Sequence, residues 1–133
     1  MNRKDISNAL KAKLATGNLA SEAWPNINFD TSTLPRLEVV FSSRINDDES
    51  LNGDIDREVG TMNIVICTEK GLGEDAGLDI YDAIRLLMPK TLRLVILSGV
   101  VTITQAPSAD VAAYPDDTAY RLPVALRYAA TAT

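Results

Sequence analysis

The chain has 133 residues, of which 46% are apolar and 23% charged, and a formal net charge of −5. A chain of this length buries about 65–70% of its unfolded surface, enough for one domain over residues 1–133 without disulfide or metal staples. With no histidine and one cysteine, Cys67, the composition excludes Ser-His-Asp and Cys-His catalysis, an internal disulfide, and zinc sites built on imidazole or on several thiolates.

Residues 5–16 read as a first helix: Asp5 can cap it, Ile6, Leu10 and Leu14 recur at i, i+4 and i+8, and Gly17 stands where it would stop. Trp24-Pro25-Asn26-Ile27-Asn28-Phe29 opposes helix, and Pro35 ends that linker. Leu37, Val39 and Phe41 then alternate with Glu38, Val40 and Ser42, the pattern of a strand. Val59 to Cys67 predicts a second strand, with Met62, Ile64 and Ile66 on one face and Asn63, Val65 and Cys67 on the other. A connection of about 16 residues between two such strands is long, and long loops are uncommon without a role.

That connection holds an unusual charge distribution. Asp47, Asp48, Glu49, Asp54, Asp56 and Glu58 place six of the 18 acids within twelve residues, accompanied only by Arg57. The other twelve acids are matched by twelve bases, so the whole net charge belongs to this segment. Its ordinary meaning is a solvated loop, with Asn52-Gly53 as a turn tip. The chain lacks the excess of Lys and Arg that a phosphate-binding surface needs, which opposes sequence-specific DNA binding.

Lys70-Gly71-Leu72-Gly73 predicts a turn, and Ile80, Ile84, Leu87 and Met88 with Ala76 and Ala83 mark a second helix ending at Pro89. The apolar run from Leu92 to Ile103 favours strand through Gly99 and the β-branched residues Val100 to Thr104. Pro107 and Pro115 bracket a loop, and Tyr120, Leu122, Val124, Leu126 and Tyr128 alternate as a last strand. Pro123 within it suggests a sheet edge or a bulge. The expected fold class is α+β: two helices against a mostly antiparallel sheet of four or slightly more strands, in the order α-β-β-α-β-β, with a long acidic hairpin loop.

Motifs with chemical meaning fail on their details. Gly71-Leu72-Gly73-Glu74-Asp75-Ala76 matches G-x-G-x-x-A, yet Glu74 and Asp75 would set two carboxylates against a pyrophosphate. Asp48, Ser50, Asn52, Gly53, Asp54, Ile55 and Asp56 imitate a calcium loop, but Val59 replaces the acid required at position 12. Cys67 has no activating base, and neither Asp79 with Asp82 nor Asp116 with Asp117 is accompanied by other catalytic groups. No apolar run of about 18 residues exists to span a membrane, and Met1-Asn2-Arg3-Lys4-Asp5 is unlike a secretion signal. No catalytic, cofactor or metal residues are assigned.

The order of the pieces resembles the tail terminator, or tail completion, proteins of long-tailed bacteriophages over most of the chain. The resemblance rests on Ala23-Trp24-Pro25-Asn26 before the first strand, Arg57-Glu58-Val59-Gly60 entering the second, Gly71-Leu72-Gly73 before the helix, and Tyr120-Arg121-Leu122-Pro123-Val124 in the last strand. It implies a subunit of a hexameric ring on the head-proximal end of the tail tube. Such a ring ends tube polymerisation and offers a docking surface to the head connector, while DNA passes through without specific binding. The implied partners are other copies of the chain, the tail tube protein and connector or adaptor proteins. The implied location is the neck of the virion, after assembly in the host cytoplasm. Asp47, Asp48, Glu49, Asp54, Asp56, Arg57 and Glu58 are the candidate interface or lumen residues, facing the DNA channel or a neck protein. A head-closure or adaptor ring protein and a small non-viral binding module are the alternative readings.

Overall fold

The computed structural model describes residues 3–23, 34–46, 57–71, 74–97, 99–115 and 119–132. Helix α1 (Arg3–Thr16) buries Ile6, Leu10 and Leu14, the stripe that the spacing predicts. Its end is tied by the Gly17 N–H donating to the Leu14 carbonyl at 3.2 Å, and Asn18 turns the chain at φ 49°. Helix α2 (Asp75–Leu87) turns Gly77 and Ile84 inward and stops where the Met88 N–H donates to Ile84 O, just before Pro89. A Cβ on Gly17 would lie 2.8 Å from Leu87 Cδ2, so the absence of a side chain there lets the ends of the two helices meet.

Among the described residues seven strands form one sheet: β1 (Ser21–Ala23), β2 (Arg36–Asn46), β3 (Arg57–Thr68), β4 (Arg93–Ile96), β5 (Gly99–Ser108), β6 (Tyr114–Pro115) and β7 (Tyr120–Ala132). Their order is β1-β2-β3-β7-β5-β4, with β6 beside β7. Every pairing is antiparallel except β1 with β2. The α+β class therefore stands, and the strand count and order need correction. Ser21–Ala23, just ahead of that linker, form β1, which joins β2 in parallel. The run from Leu92 to Ile103 is a hairpin, β4 and β5, because Leu97-Ser98 intervene between Ile96 and its partner Gly99.

Pro123 corrects a further expectation. It lies in a central strand, opposite Val65 of β3. On the other flank of β7, pairing passes from Ser108↔Ala125 of β5 to Tyr114↔Arg121 of β6. Pro123 falls in that step, where neither strand supplies a partner. A missing donor is tolerated there for the reason it is tolerated at an edge.

Strand alternation divides the sheet into two faces. Leu37, Val39, Met62, Ile64, Ile66, Leu122, Val124 and Leu126 face both helices and form the core with Ile6, Leu10, Leu14, Ile84 and Met88. No helix among the described residues covers the opposite face. The connection between β2 and β3 is shorter than expected, since pairing continues to Asn46↔Glu58 past an irregularity between Ser42 and Ile45.

On the core face, Gly60 lies opposite Tyr128, whose ring meets Phe41 edge-on at 6.4 Å. A Cβ on Gly60 would come within 2.5 Å of the Tyr128 hydroxyl and 2.7 Å of Cζ. Gly60→Ala is expected to lower unfolding stability by about 1–3 kcal/mol through displacement of this ring, read as a lower midpoint in urea unfolding.

Candidate interaction surface

The candidate interface residues separate on folding. Asp47, Asp48, Glu49, Asp54 and Asp56 lie outside the described residues, as do Asn52-Gly53, Trp24-Pro25-Asn26, Leu72-Gly73 and the Asp116-Asp117 pair. Arg57 and Glu58 begin β3 and point to opposite faces. The Glu58 side chain is 2% exposed, ion-paired through Oε1 with Arg3 Nε of α1, and accepts a hydrogen bond from the Tyr128 hydroxyl at 3.4 Å. Glu58 thus ties the first turn of α1 to the sheet, whereas Arg57 joins the helix-free face. A neighbouring contact holds the same helix: Arg44 donates to Ser7 Oγ at 2.7 Å while its guanidinium lies 4.5 Å from the centre of the Phe41 ring.

A second polar cluster occupies the helix-free face. Arg36, Cys67 and Arg121 are consecutive partners across β2, β3 and β7. Arg121 Nη1 donates to Glu38 Oε2 at 2.6 Å, Arg36 Nε lies 3.7 Å from the same oxygen, and the Cys67 thiol donates to it at 3.1 Å. Burial and the carboxylate push the thiol up to about 12. Burial and the charge of Glu58 likewise push Tyr128 up to about 12. Both shifts oppose reactivity: the sole cysteine is a buried, protonated thiol.

The rest of the helix-free face mixes small polar and β-branched residues. Asn63 donates to Ser42 Oγ at 2.6 Å. Nearby, Ile45, Arg57, Thr61, Thr104 and Arg127 line a shallow concavity of about 420 Å³. Strands β2 and β4 expose apolar side chains on this face: Val40 at 52% and Ile45 at 59% on β2, and Val95 at 84% on β4, with Leu97 of the following turn at 99%. Alternation places Val40 on the polar side of its strand, so that residue was legible in the sequence. Val95 and Leu97 were hidden inside what read as one continuous apolar strand.

Among the described residues no group of three or more Cys, Asp or Glu side chains is placed to hold a metal ion, and no helix is long and apolar enough to cross a membrane. Strand β4 runs opposite to β3, so α2 does not bridge two parallel strands as a dinucleotide-binding unit requires. Glu74 and Asp75 are exposed at the start of that helix.

The raised protons set a direction for pH dependence. The folded chain holds the Cys67 and Tyr128 protons more tightly than the unfolded chain, whose values lie near 9.0 and 10.0. Their contribution to stability is complete below those values and is lost as pH climbs toward about 12. Thermal unfolding scans should show a falling Tm above about pH 9. At pH 8, a thiol reagent should label Cys67 in urea and leave the native chain unlabelled.

Comparison with known proteins adds three findings. A family model described as phage tail terminator protein matches residues 5–128. No curated protein sequence matches the chain. A solved structure 20% identical to it superimposes with a TM-score of 0.69, covering 98% of this chain and 96% of the other, a likeness that concerns the fold. Because the family match runs from the first turn of α1 into β7, through the buried Glu58 and the Arg121–Glu38 pair, the chain belongs to the phage tail terminator protein family.

Proposed function

We infer that this phage tail protein, one terminator domain over residues 1–133, forms a hexameric ring on the head-proximal end of the tail tube. The ring ends tube polymerisation and gives the head connector its docking surface, and DNA passes through it unread. The observation that carries this reading is the family match over residues 5–128, a family of structural rather than enzymatic proteins. The fold is compatible with it: both helices lie against one sheet face, and on the other Val40, Ile45 and Val95 remain exposed. Ring closure joins one patch to a different patch on the next copy.

The acidic segment belongs to the same proposal, less Glu58, which is buried. Its remaining acids, Asp47, Asp48, Glu49, Asp54 and Asp56, bring about thirty negative charges to a six-copy ring. Facing the lumen, that wall repels the phosphate backbone. Facing a neck protein, it seeks a basic partner and binds in a salt-dependent way.

Imaging of assembled tails should find a terminal layer of six copies of this chain, and phage lacking it should build tubes of uncontrolled length. A terminal layer of another stoichiometry, or none containing this chain, overturns the reading. Replacing these five acids by Asn and Gln should shift stability by no more than about 0.5 kcal/mol and impair DNA ejection or head–tail joining. Unchanged ejection and joining would make the charge incidental.

A further inference from the structure

Acids and bases segregate in the second half of the chain. Residues 74–79 and 109–113 hold Glu74, Asp75, Asp79 and Asp110 and no base, whereas no acid stands between Asp82 and Asp110, only Arg85, Lys90 and Arg93. Folding gathers the acidic set around a groove lined entirely by described residues. It lies between the first half of α2 and the segment joining β5 to β6, encloses about 280 Å³, and is walled by Gly77, Leu78, Val111, Tyr120 and Leu122 with Glu74 beside them. Leu78 and Val111 leave apolar surface in water there. Glu74, Asp75 and Asp79 are exposed and form no ion pair among the described residues. A helix interior disfavours glycine, and packing within the subunit does not ask for one at Gly77. A Cβ there would meet Leu122 among the described residues, at 3.7 Å, an ordinary contact. The missing side chain deepens the groove instead.

The basic stretch supplies a ridge at the other end of the sheet. Leu94 and Ile96 of β4 pack against the core, so alternation turns Arg93 and Val95 to the helix-free face, and Leu97 extends the row into the turn. All three are exposed, and Arg93 forms no ion pair among the described residues. The turn lies beside Gly99, which pairs with Ala132 at the end of β7, while the groove lies beside Tyr120 at its start. Those ends are about 40 Å apart at the usual rise of a strand, so a ridge does not reach its own groove. We propose that the Arg93–Val95–Leu97 ridge of one copy docks in the α2 groove of the next. Leu97 and Val95 cover Leu78 and Val111, and Arg93 meets the acids of the rim. Charge complementarity singles out a second copy as the occupant, because the chain carries both the basic, apolar ridge and the acidic, apolar groove. Two different patches at distant places on one chain make a heterologous contact, the kind from which a closed ring is built.

This inference rests on the ring reading, and the experiment separates the two. In a Cys67→Ala background, Leu97→Cys is combined with Leu78→Cys or Val111→Cys in phage tails, which are oxidised and run on non-reducing gels. At least one double variant should give a ladder of covalent oligomers of this chain, and each single variant should stay monomeric. Leu97→Asp alters a solvated side chain, so the purified protein should keep its circular dichroism spectrum and its Tm, and tails carrying it should lose the terminal layer. Cross-linking of two copies by Leu97→Cys alone would indicate a two-fold contact, and cross-linking to another tail protein would make that protein the occupant; either overturns the proposal. So would six-copy layers in which neither double variant cross-links, or layers that assemble normally with Leu97→Asp; both leave the ring itself standing. Wild-type tails with no layer of this chain would overturn both readings.

Discussion

The register between β3 and β7 is the constraint on which the other features depend. It runs unbroken from Arg57↔Thr131 to Thr68↔Tyr120, between two strands that each have a further neighbour. Because side chains alternate with period two, this register decides at once which residues meet the helices. It sets Gly60 opposite Tyr128, and the missing side chain at Gly60 gives the tyrosine room to reach Glu58. A slip of one residue would carry Met62, Ile64 and Ile66 out of the core and Asn63, Val65 and Cys67 into it.

The two buried polar clusters depend on the same register and anchor different parts of the chain. On the core face, Glu58 receives Arg3 from α1 and so fixes where the first helix begins. A carboxylate this deeply enclosed needs its cation and hydrogen-bond donor, since leaving either unmatched carries a desolvation cost. On the opposite face, Glu38 draws together Arg36, Arg121 and the Cys67 thiol from three adjacent strands. These are polar interactions within the subunit. Neither cluster leaves its charged groups free for contacts outside the subunit.

That division matters for a protein whose family works by assembly. Here exposed apolar side chains are spread over β2 (Val40, Ile45), β4 and its turn (Val95, Leu97), α2 (Leu78, Leu86) and the segment before β7 (Val111, Tyr114). Exposed apolar residues at both ends of one sheet are a liability for an isolated subunit. In an assembly they become contact area.

The sequence by itself determined the α+β class, both helices, the pairing faces of β2, β3 and β7, the buried Cys67 and the family resemblance. Each of these follows from local periodicity or from the order of short segments, which a linear chain displays directly. It also displayed the acid-rich run but assigned Glu58 to it, because charge counted along the chain takes no account of which way a side chain turns. Folding alone decided that Glu58 points inward to Arg3, a residue 55 positions away, and that Arg121 reaches Glu38 across 83. Folding also split the Leu92–Ile103 run into a hairpin, and placed Pro123 where the strands flanking β7 change over. Those outcomes depend on which strands become neighbours, and neighbour choice in a sheet is set by the packing of the whole core rather than by any window of sequence.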